Sequence, residues 1–82
     1  MGTEASLREL VEYLARGLVD HPEEVAVEAV DEPDALVFEL KVADEDLGKV
    51  IGKQGRTAKA LRTVLSAASS KMRRRVVLEI LE

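Results

Sequence analysis

Two glycines three residues apart, placed between two stretches with helical periodicity, constrain the fold of this chain most. Gly52 and Gly55 follow a short stretch, 45–51, and precede a longer one that begins near Arg56. Because glycine reaches backbone conformations that other residues avoid, the pair predicts a tight corner between two helices instead of one continuous helix. On the longer helix, the apolar residues that share one face are Ala58, Leu61, Leu65 and Ala68.

The chain before this corner begins with a helical pattern. Ser6 and Glu9 form a capping-box pattern, and the apolar residues after Ser6 recur at helical spacing, which predicts a first helix over residues 7–19. His21 and Pro22 end this helix, because a residue before proline avoids helical geometry. The predicted apolar face comprises Leu7, Leu10, Val11, Leu14 and Leu18.

Three strands are predicted in the remaining segments. The valine-rich stretch 25–30 predicts one strand, and turn residues at 31–34 separate it from a second strand with a period of two. So short a connection predicts an antiparallel hairpin. The alternating apolar residues are Leu36, Phe38, Leu40 and Val42 in the second strand, and Val76, Leu78 and Ile80 in the last. The order α-β-β-α-α-β indicates an α+β fold.

The 82 residues are enough for one small domain, and we expect residues 1–82 to form it, with a disordered terminus at 1–5. No apolar run approaches the roughly 18 residues of a membrane span, and no signal peptide opens the sequence. We therefore expect a cytoplasmic protein with no membrane partner.

The side-chain chemistry argues against an enzyme. The chain has no cysteine and one histidine, His21, which excludes disulfides, thiolate metal sites, cysteine nucleophiles and histidine clusters. We interpret His21 as a solvated loop residue, and we predict no catalytic residue, cofactor, metal or small-molecule substrate. The acidic run 44–46 could bind a hard cation, but capping of the next helix explains it more simply.

Charge is distributed very unevenly along the chain. Residues 1–46 hold three basic and fourteen acidic residues, residues 47–82 hold nine basic and two acidic, and 49–75 contain no acid. This asymmetry indicates either a face that binds a polyanion or two solvated faces that attract each other within the fold. The run Arg73-Arg74-Arg75 is either a second phosphate contact or a basic loop that leads into the last strand, and the sequence does not separate the two.

The segment around the two glycines has the features of a phosphate-binding corner. The missing side chains let a phosphodiester approach the main chain, and the start of the next helix offers unpaired amides and a positive dipole end. The cations within about one turn are Lys49, Lys53, Arg56 and Lys59. The alternative is an ordinary glycine-bent helix corner with a basic rim. A Walker A phosphate loop is excluded by the spacing, and in helix-hairpin-helix modules the glycines are usually two apart.

Residues 46–57, DLGKVIGKQGRT, resemble the Gly-x-x-Gly segment of the KH domain, an RNA-binding module. The element order is similar to the type II topology, and the resemblance, which covers nearly the whole chain, is strongest to the small bacterial single-KH proteins (the KhpA-like family). It implies a three-stranded mixed sheet with helices packed on one face. One departure is Ala58, where many KH domains carry a larger aliphatic residue.

The resemblance implies a role for each matching residue. Gly52, Lys53, Gln54 and Gly55 would contact the sugar–phosphate backbone of single-stranded RNA, with added charge from nearby cations. The cations are Lys49, Arg56 and Lys59, and the residues implied to line an apolar groove for the bases are Val50, Ile51 and Ala58. Aromatic stacking platforms are disfavoured, because the only aromatic residues are Tyr13 and Phe38.

The resemblance also implies partners and a cellular role. It suggests a homodimer, a complex with a KhpB-like or Jag-like KH protein, and action as a post-transcriptional regulator or RNA chaperone in cell-shape or cell-wall control. Weak binding by one small groove agrees with a need for a second module. The rival hypothesis is a protein-interaction adaptor, in which the basic helix docks an acidic protein and RNA binding is incidental.

Overall fold

Residues 3–82 are described by a computed structural model with three α-helices and a three-stranded sheet in the predicted order α-β-β-α-α-β. The elements are α1 (Glu4–Leu18), β1 (Ala26–Asp31), β2 (Ala35–Lys41), α2 (Leu47–Ile51), α3 (Arg56–Ala68) and β3 (Arg75–Ile80). Short 3-10 helices cover Pro22–Glu24, Asp44–Asp46 and Lys53–Gly55. No helix in the described range is long and apolar enough to cross a membrane.

Helix α1 begins three residues earlier than the sequence pattern predicts. Thr3, not Ser6, is the N-cap: its hydroxyl accepts from the Ser6 amide at 3.1 Å, and the Ser6 hydroxyl accepts from the Thr3 amide at 3.1 Å. The reciprocal bonds of the predicted capping box therefore exist one turn upstream, because a serine can close the box from its far end. Of the terminus 1–5 predicted to be disordered, residues 1–2 lie outside the described range, and Glu4 and Ala5 belong to the first turn.

The predicted antiparallel hairpin is confirmed, with β1 shifted by one residue to Ala26–Asp31. Glu32 and Ala35 close it by exchanging backbone hydrogen bonds of 2.9 and 3.3 Å around Pro33 and Asp34. Strand β3 pairs parallel to β2, so β2 is the central strand of a mixed sheet.

All three helices pack on one face of this sheet. That face carries Phe38 and Leu40 of β2, which are fully buried, and Leu78 of β3, which is 3% exposed. From α1 the buried residues are Leu7, Val11 and Ala15, and from α3 they are Ala58, Leu61 and Leu65. Leu18, predicted to be on the apolar face of α1, is 39% exposed, because it lies in the last turn beyond the edge of the core.

The apolar residues of β2 alternate with a period of two, as predicted, but both faces of this strand are largely buried. Val37 points away from the helices but is only 7% exposed, because it lies between its cross-strand partners Val30 and Val77 on a central strand. The next row on this outer face consists of three glutamates, here called the glutamate row: Glu28, Glu39 and Glu79.

The corner between α2 and α3 forms where the glycine spacing predicts it. Instead of one short helix over 45–51, the chain makes a 3-10 turn at Asp44–Asp46 and then α2. Helix α3 starts at Arg56, as predicted, and runs back across the sheet to β3.

Candidate nucleic-acid interface

The Gly loop (residues 52–55) has a backbone conformation that few residues other than glycine adopt. Gly52 has φ 77° and ψ 168°, a region that is essentially restricted to glycine. Gly55 has φ 74° and ψ 14°, and Gln54 between them also has a positive φ of 58°. The backbone path therefore restricts position 52 essentially to glycine and favours glycine at position 55.

The two glycines differ in their surroundings. A Cβ added to Gly52 would contact Thr57 Oγ1 and would lie 2.7 Å from Thr57 Cβ and 2.8 Å from the Thr57 amide nitrogen. A Cβ added to Gly55 would have no heavy atom within 4 Å. Gly52 therefore makes close packing with α3 possible, whereas Gly55 presents bare backbone to open space. Local sequence carries no signal for this role of Thr57, because only the folded corner brings it against Gly52.

The amides of the two glycines are not free for a ligand. Gly52 donates to the Gly48 carbonyl at 2.8 Å, and Gly55 donates to the Gly52 carbonyl at 3.0 Å. The Arg56 amide donates to the Lys53 carbonyl. These three hydrogen bonds stabilise the corner itself.

Three of the predicted cations surround the Gly loop and are exposed: Lys53, Arg56 and Lys59. None of them forms an ion pair within residues 3–82. Arg56 Nη2 donates to Gln54 Oε1 at 3.2 Å, a contact with a neutral amide. The first turn of α3 also has no acidic residue and no capping side chain. Positive charge is thus concentrated here without an internal counter-charge.

Lys49 is placed differently from these cations. Its Nζ lies 3.0 Å from Asp20 Oδ2 and 3.7 Å from Asp46 Oδ1. The hydrogen bond and charge of Asp20 raise the pKa of Lys49 above its usual value. The predicted contribution of Lys49 to phosphate binding is therefore opposed by two carboxylates from its own chain.

The predicted apolar groove residues also separate into two groups. Val50 is fully buried and Ala58 is 4% exposed, so both pack beneath the corner and support it. Ile51 is half-buried, and of the three it alone presents surface beside the Gly loop. The small side chain of Ala58 therefore lies in the core, and not on an open groove floor.

The acidic run 44–46 does not cap α2 through its side chains, contrary to the prediction. Asp46 is fully buried: its Oδ1 accepts from the Asp20 amide at 3.2 Å, and its Oδ2 accepts from the amide and Nδ1 of His21, each at 2.9 Å. His21 is therefore a bonded loop residue whose side chain is still 39% exposed. Within residues 3–82 no group of three or more carboxylate and histidine side chains is arranged to hold a metal ion.

The electrostatics of this cluster follow from its hydrogen bonds. The bond to Asp46 raises the pKa of His21 above its usual value. Burial alone would raise the pKa of Asp46, but the bonds from the His21 ring and from the amides of Asp20 and His21 together lower it. The spacing of Asp46 and Lys49, three residues apart, is a local signal that these two side chains lie close together. No local pattern indicates that Asp20 and His21 join them.

The run Arg73-Arg74-Arg75 is divided by the fold. Arg74 Nη2 donates to Asp31 Oδ1 at 2.7 Å and to the Glu32 carbonyl at 2.9 Å, and so joins the turn before β3 to the β1–β2 hairpin. Arg73 and Arg75 are exposed and form no ion pair in the described chain. The middle arginine is therefore structural.

A mixed three-stranded sheet with helices on one face, and a Gly-x-x-Gly corner between two of the helices, defines a KH domain of type II topology. The chain belongs to the KhpA/KhpB KH-domain family, whose description, "KhpA/KhpB, KH domain", matches residues 8–80. Members of this family are RNA-binding proteins and not enzymes, in agreement with the prediction that this chain is not an enzyme.

Close relatives extend over nearly the whole chain. It is 55% identical over 75 residues to the RNA-binding protein KhpA of Clostridium perfringens, covering 92% of this chain and 100% of the relative. It is 50% identical over 78 residues to the RNA-binding protein KhpA of Aquifex aeolicus, covering 95% of this chain and 99% of the relative.

Solved structures of Era contain a similar fold. An Era variant from Aquifex aeolicus bound to GDP and aluminium fluoride matches with a TM-score of 0.58 and 26% identity, over 92% of this chain and 29% of Era. Era in complex with MgGDPNP and nucleotides 1506–1542 of 16S ribosomal RNA matches with a TM-score of 0.55 and 24% identity, over 90% of this chain and 28% of Era. The chain thus spans under a third of Era, and the second match shows the fold alone.

Proposed function

We propose that this chain binds single-stranded RNA at the Gly loop and the first turn of α3, without catalysis. The observation that carries the proposal is the open space over Gly55, next to exposed cations that form no ion pair within residues 3–82. The names of the KhpA relatives, which describe RNA-binding proteins, support RNA as the ligand.

The corner suits a phosphodiester for three reasons. Gly55 lets a bulky backbone approach without meeting a side chain. The start of α3 offers the positive end of a thirteen-residue helix. Lys53, Arg56 and Lys59 supply charge within about one turn. The amides of Gly52, Gly55 and Arg56 bond within the chain, so they do not take part in phosphate binding.

The apolar part of the site is small, so we expect weak sequence preference. Ile51 is the half-buried aliphatic residue next to the Gly loop, with Val50 and Ala58 supporting it from the core. Phe38 is fully buried and Tyr13 lies on α1, so neither offers a stacking platform beside Gly52–Gly55. Bases would meet aliphatic and polar groups, as the resemblance to KH domains implies.

The double variant Lys53→Asp/Gln54→Asp tests this site. Aspartate is among the residues that tolerate a positive φ, so Gln54→Asp keeps the corner, while the pair reverses the charge above it. We expect fluorescence anisotropy with a labelled single-stranded oligoribonucleotide to show affinity reduced roughly tenfold or more. Three neutralised phosphates predict a slope of about −2 for log K against log salt in the unmodified chain.

The matched control is Arg8→Gln/Lys41→Asp, which changes the net charge equally but lies on α1 and at the end of β2. It should keep most of the affinity, and circular dichroism should be unchanged for both variants. If the Gly-loop variant binds RNA as well as the control does, the site is wrong. If the unmodified chain binds an acidic protein but no RNA, and the Gly-loop variant loses that protein while the control keeps it, the adaptor hypothesis is favoured.

We further propose that two copies of the chain associate through an apolar groove between α1 and α3. Leu18 of α1 and Val64 of α3 are 39% and 41% exposed, and both line an apolar groove between these two helices. The groove encloses about 220 Å³ and is lined by Leu14, Leu18, Thr57, Ala60, Leu61 and Val64. We assign this association surface to a second copy of the chain, because an apolar, uncharged groove on a protein rich in charge suits a self-complementary contact.

Sedimentation equilibrium tests the association surface. The unmodified chain should approach twice its mass of 9.0 kDa, and Val64→Glu should be monomeric, because the glutamate would be buried without a partner. Ser66→Glu, on the exposed side of the same helix, is the control. A monomer at all concentrations would contradict the homodimer. A complex with a KhpB-like or Jag-like protein through the same surface, a role in cell-shape or cell-wall control, RNA chaperone activity and a cytoplasmic location stay predictions.

A further inference from the structure

A buried carboxylate connects the loop after α1 to the start of α2. Asp46 accepts three hydrogen bonds from Asp20 and His21, residues that are 26 and 25 positions away in sequence. Lys49 of α2 lies against Asp46 and Asp20 together. These four residues are here called the Asp46 cluster. No buried side-chain N or O atom among residues 3–82 lacks a hydrogen-bond partner, and this includes those of the cluster.

The position of the Gly loop depends on α2, and α2 is too short to be stable by itself. It has five residues, and isolated helices shorter than about 12 residues are marginal in water. Within the fold it is held by the Asp46 cluster at its start and by the buried Val50 near its end. Gly52 follows α2 directly, so a change at the start of α2 is transmitted to the Gly loop over one and a half turns of helix.

We propose that Asp46 is a positioning residue for the Gly loop, and that the protonation of His21 is transmitted to that loop through it. Asp46 touches no residue of the candidate RNA site apart from Lys49, so it would act through α2. The effect on RNA binding rests on the proposed function, whereas the link between His21 and the Gly loop can be measured without RNA.

The charges around His21 determine the direction of its response. Asp46 at 2.9 Å and the nearby carboxylates Glu45 and Glu23 all favour the protonated ring, and they raise the pKa of His21. Lys49 is the cation that faces Asp46 from α2, and Asp20 partly balances it. When the pH rises and His21 loses its charge, the ion pair with Asp46 becomes a hydrogen bond from a neutral ring to the carboxylate, and α2 is held less firmly.

The decisive measurement is a ¹H–¹⁵N NMR titration of the free chain from pH 5.5 to 8.5. We expect the amide signals of Lys53, Gln54 and Gly55 to shift with the same midpoint as the His21 ring, which lies above pH 6.5. These shifts should vanish in His21→Gln, and the amide of Val77, on the outer face of the sheet, should not follow that midpoint in either protein. If the ring titrates while the Gly-loop amides stay still, the proposal is wrong.

RNA binding supplies a second readout. In Asp46→Asn, the NH2 group replaces one of the two oxygens that accept hydrogen bonds from Asp20 and His21. We therefore expect the affinity for RNA to fall roughly three- to tenfold, while the slope of log K against log salt is unchanged. Asp44→Asn, which neutralises an exposed carboxylate two residues before Asp46, is the control. A reduced salt slope would mean a lost phosphate contact and would overturn a positioning role. If the unmodified chain binds no RNA, the proposed function fails, while the NMR titration still decides whether Asp46 connects His21 to the Gly loop.

Discussion

Replacing Gly52 and Gly55 by alanine, one at a time, should have different consequences, because the two glycines are required for different reasons. In Gly52→Ala the backbone conformation alone costs about 1–3 kcal/mol. The new methyl would also lie 2.8 Å from the Thr57 amide nitrogen, a backbone atom that cannot move independently of α3, and overpacking of this kind costs about 1–3 kcal/mol. After the reduced freedom of the unfolded chain returns about 0.4–1 kcal/mol, the two effects lower the free energy of unfolding by about 3 kcal/mol, within a range of about 1–6 kcal/mol.

Gly55→Ala should cost much less. Its φ of 74° and ψ of 14° are left-handed helical values, for which alanine loses about 1–2 kcal/mol, and the methyl would point into empty space. The reduced freedom of the unfolded chain returns about 0.4–1 kcal/mol, so the net loss is about 1 kcal/mol. The same methyl would stand where we place the phosphodiester, so RNA affinity should fall although the fold is kept.

Urea unfolding followed by circular dichroism measures the difference. A domain of this length has a stability of roughly 4–12 kcal/mol, with a slope of about 1 kcal/mol per molar urea. Gly52→Ala should lower the midpoint by about 2 M or more, and Gly55→Ala by about 1 M. Equal midpoints for the two variants would refute the reasoning from Thr57. Undiminished RNA binding by Gly55→Ala would refute the placement of the phosphodiester.

Because the pKa of His21 is raised from about 6.5 and that of Asp46 is lowered from about 3.8, stability should be greatest between these values. Urea midpoints should decline as pH rises through the raised pKa of His21, a decline absent in His21→Gln, and also below pH 3.8 as Asp46 is protonated. Glu39→Thr, in the middle of the glutamate row, should stabilise the fold by about 0.5 kcal/mol at low salt and less at high salt. Arg74→Gln should cost under about 1 kcal/mol, because Asp31 is largely exposed, and it should leave the salt slope of RNA binding unchanged.

The fold was largely predictable because its elements are encoded by local patterns. The alternation in β2, the helical spacing of α3 and the two-residue turn at Pro33 and Asp34 each depend on residues within one element. The Gly loop was identified for the same reason, since its conformation is set by Gly52 and Gly55 themselves. The start of α1 was misplaced because Thr3 and Ser6 can both cap a helix, and the choice depends on where the first turn packs.

The roles of individual site residues were less predictable, because they depend on partners that are distant in sequence. Lys49 belongs to a basic stretch, but the loop after α1 brings Asp20 to 3.0 Å from it. Val50 has the apolar character of a groove residue, but α2 turns it into the core. Local sequence states which groups are charged or apolar, and it does not state which of them the fold leaves exposed.

The sequence by itself therefore determined the order of helices and strands, the corner at the two glycines and the basic character of the second half, since each is a property of neighbouring residues. Only the tertiary structure decided that Asp46 is buried against His21, that Arg74 joins two turns and that Lys53, Arg56 and Lys59 meet no counter-charge among residues 3–82. Burial and charge pairing depend on residues that only chain folding brings together, at separations of 25 to 43 positions for His21–Asp46 and Asp31–Arg74.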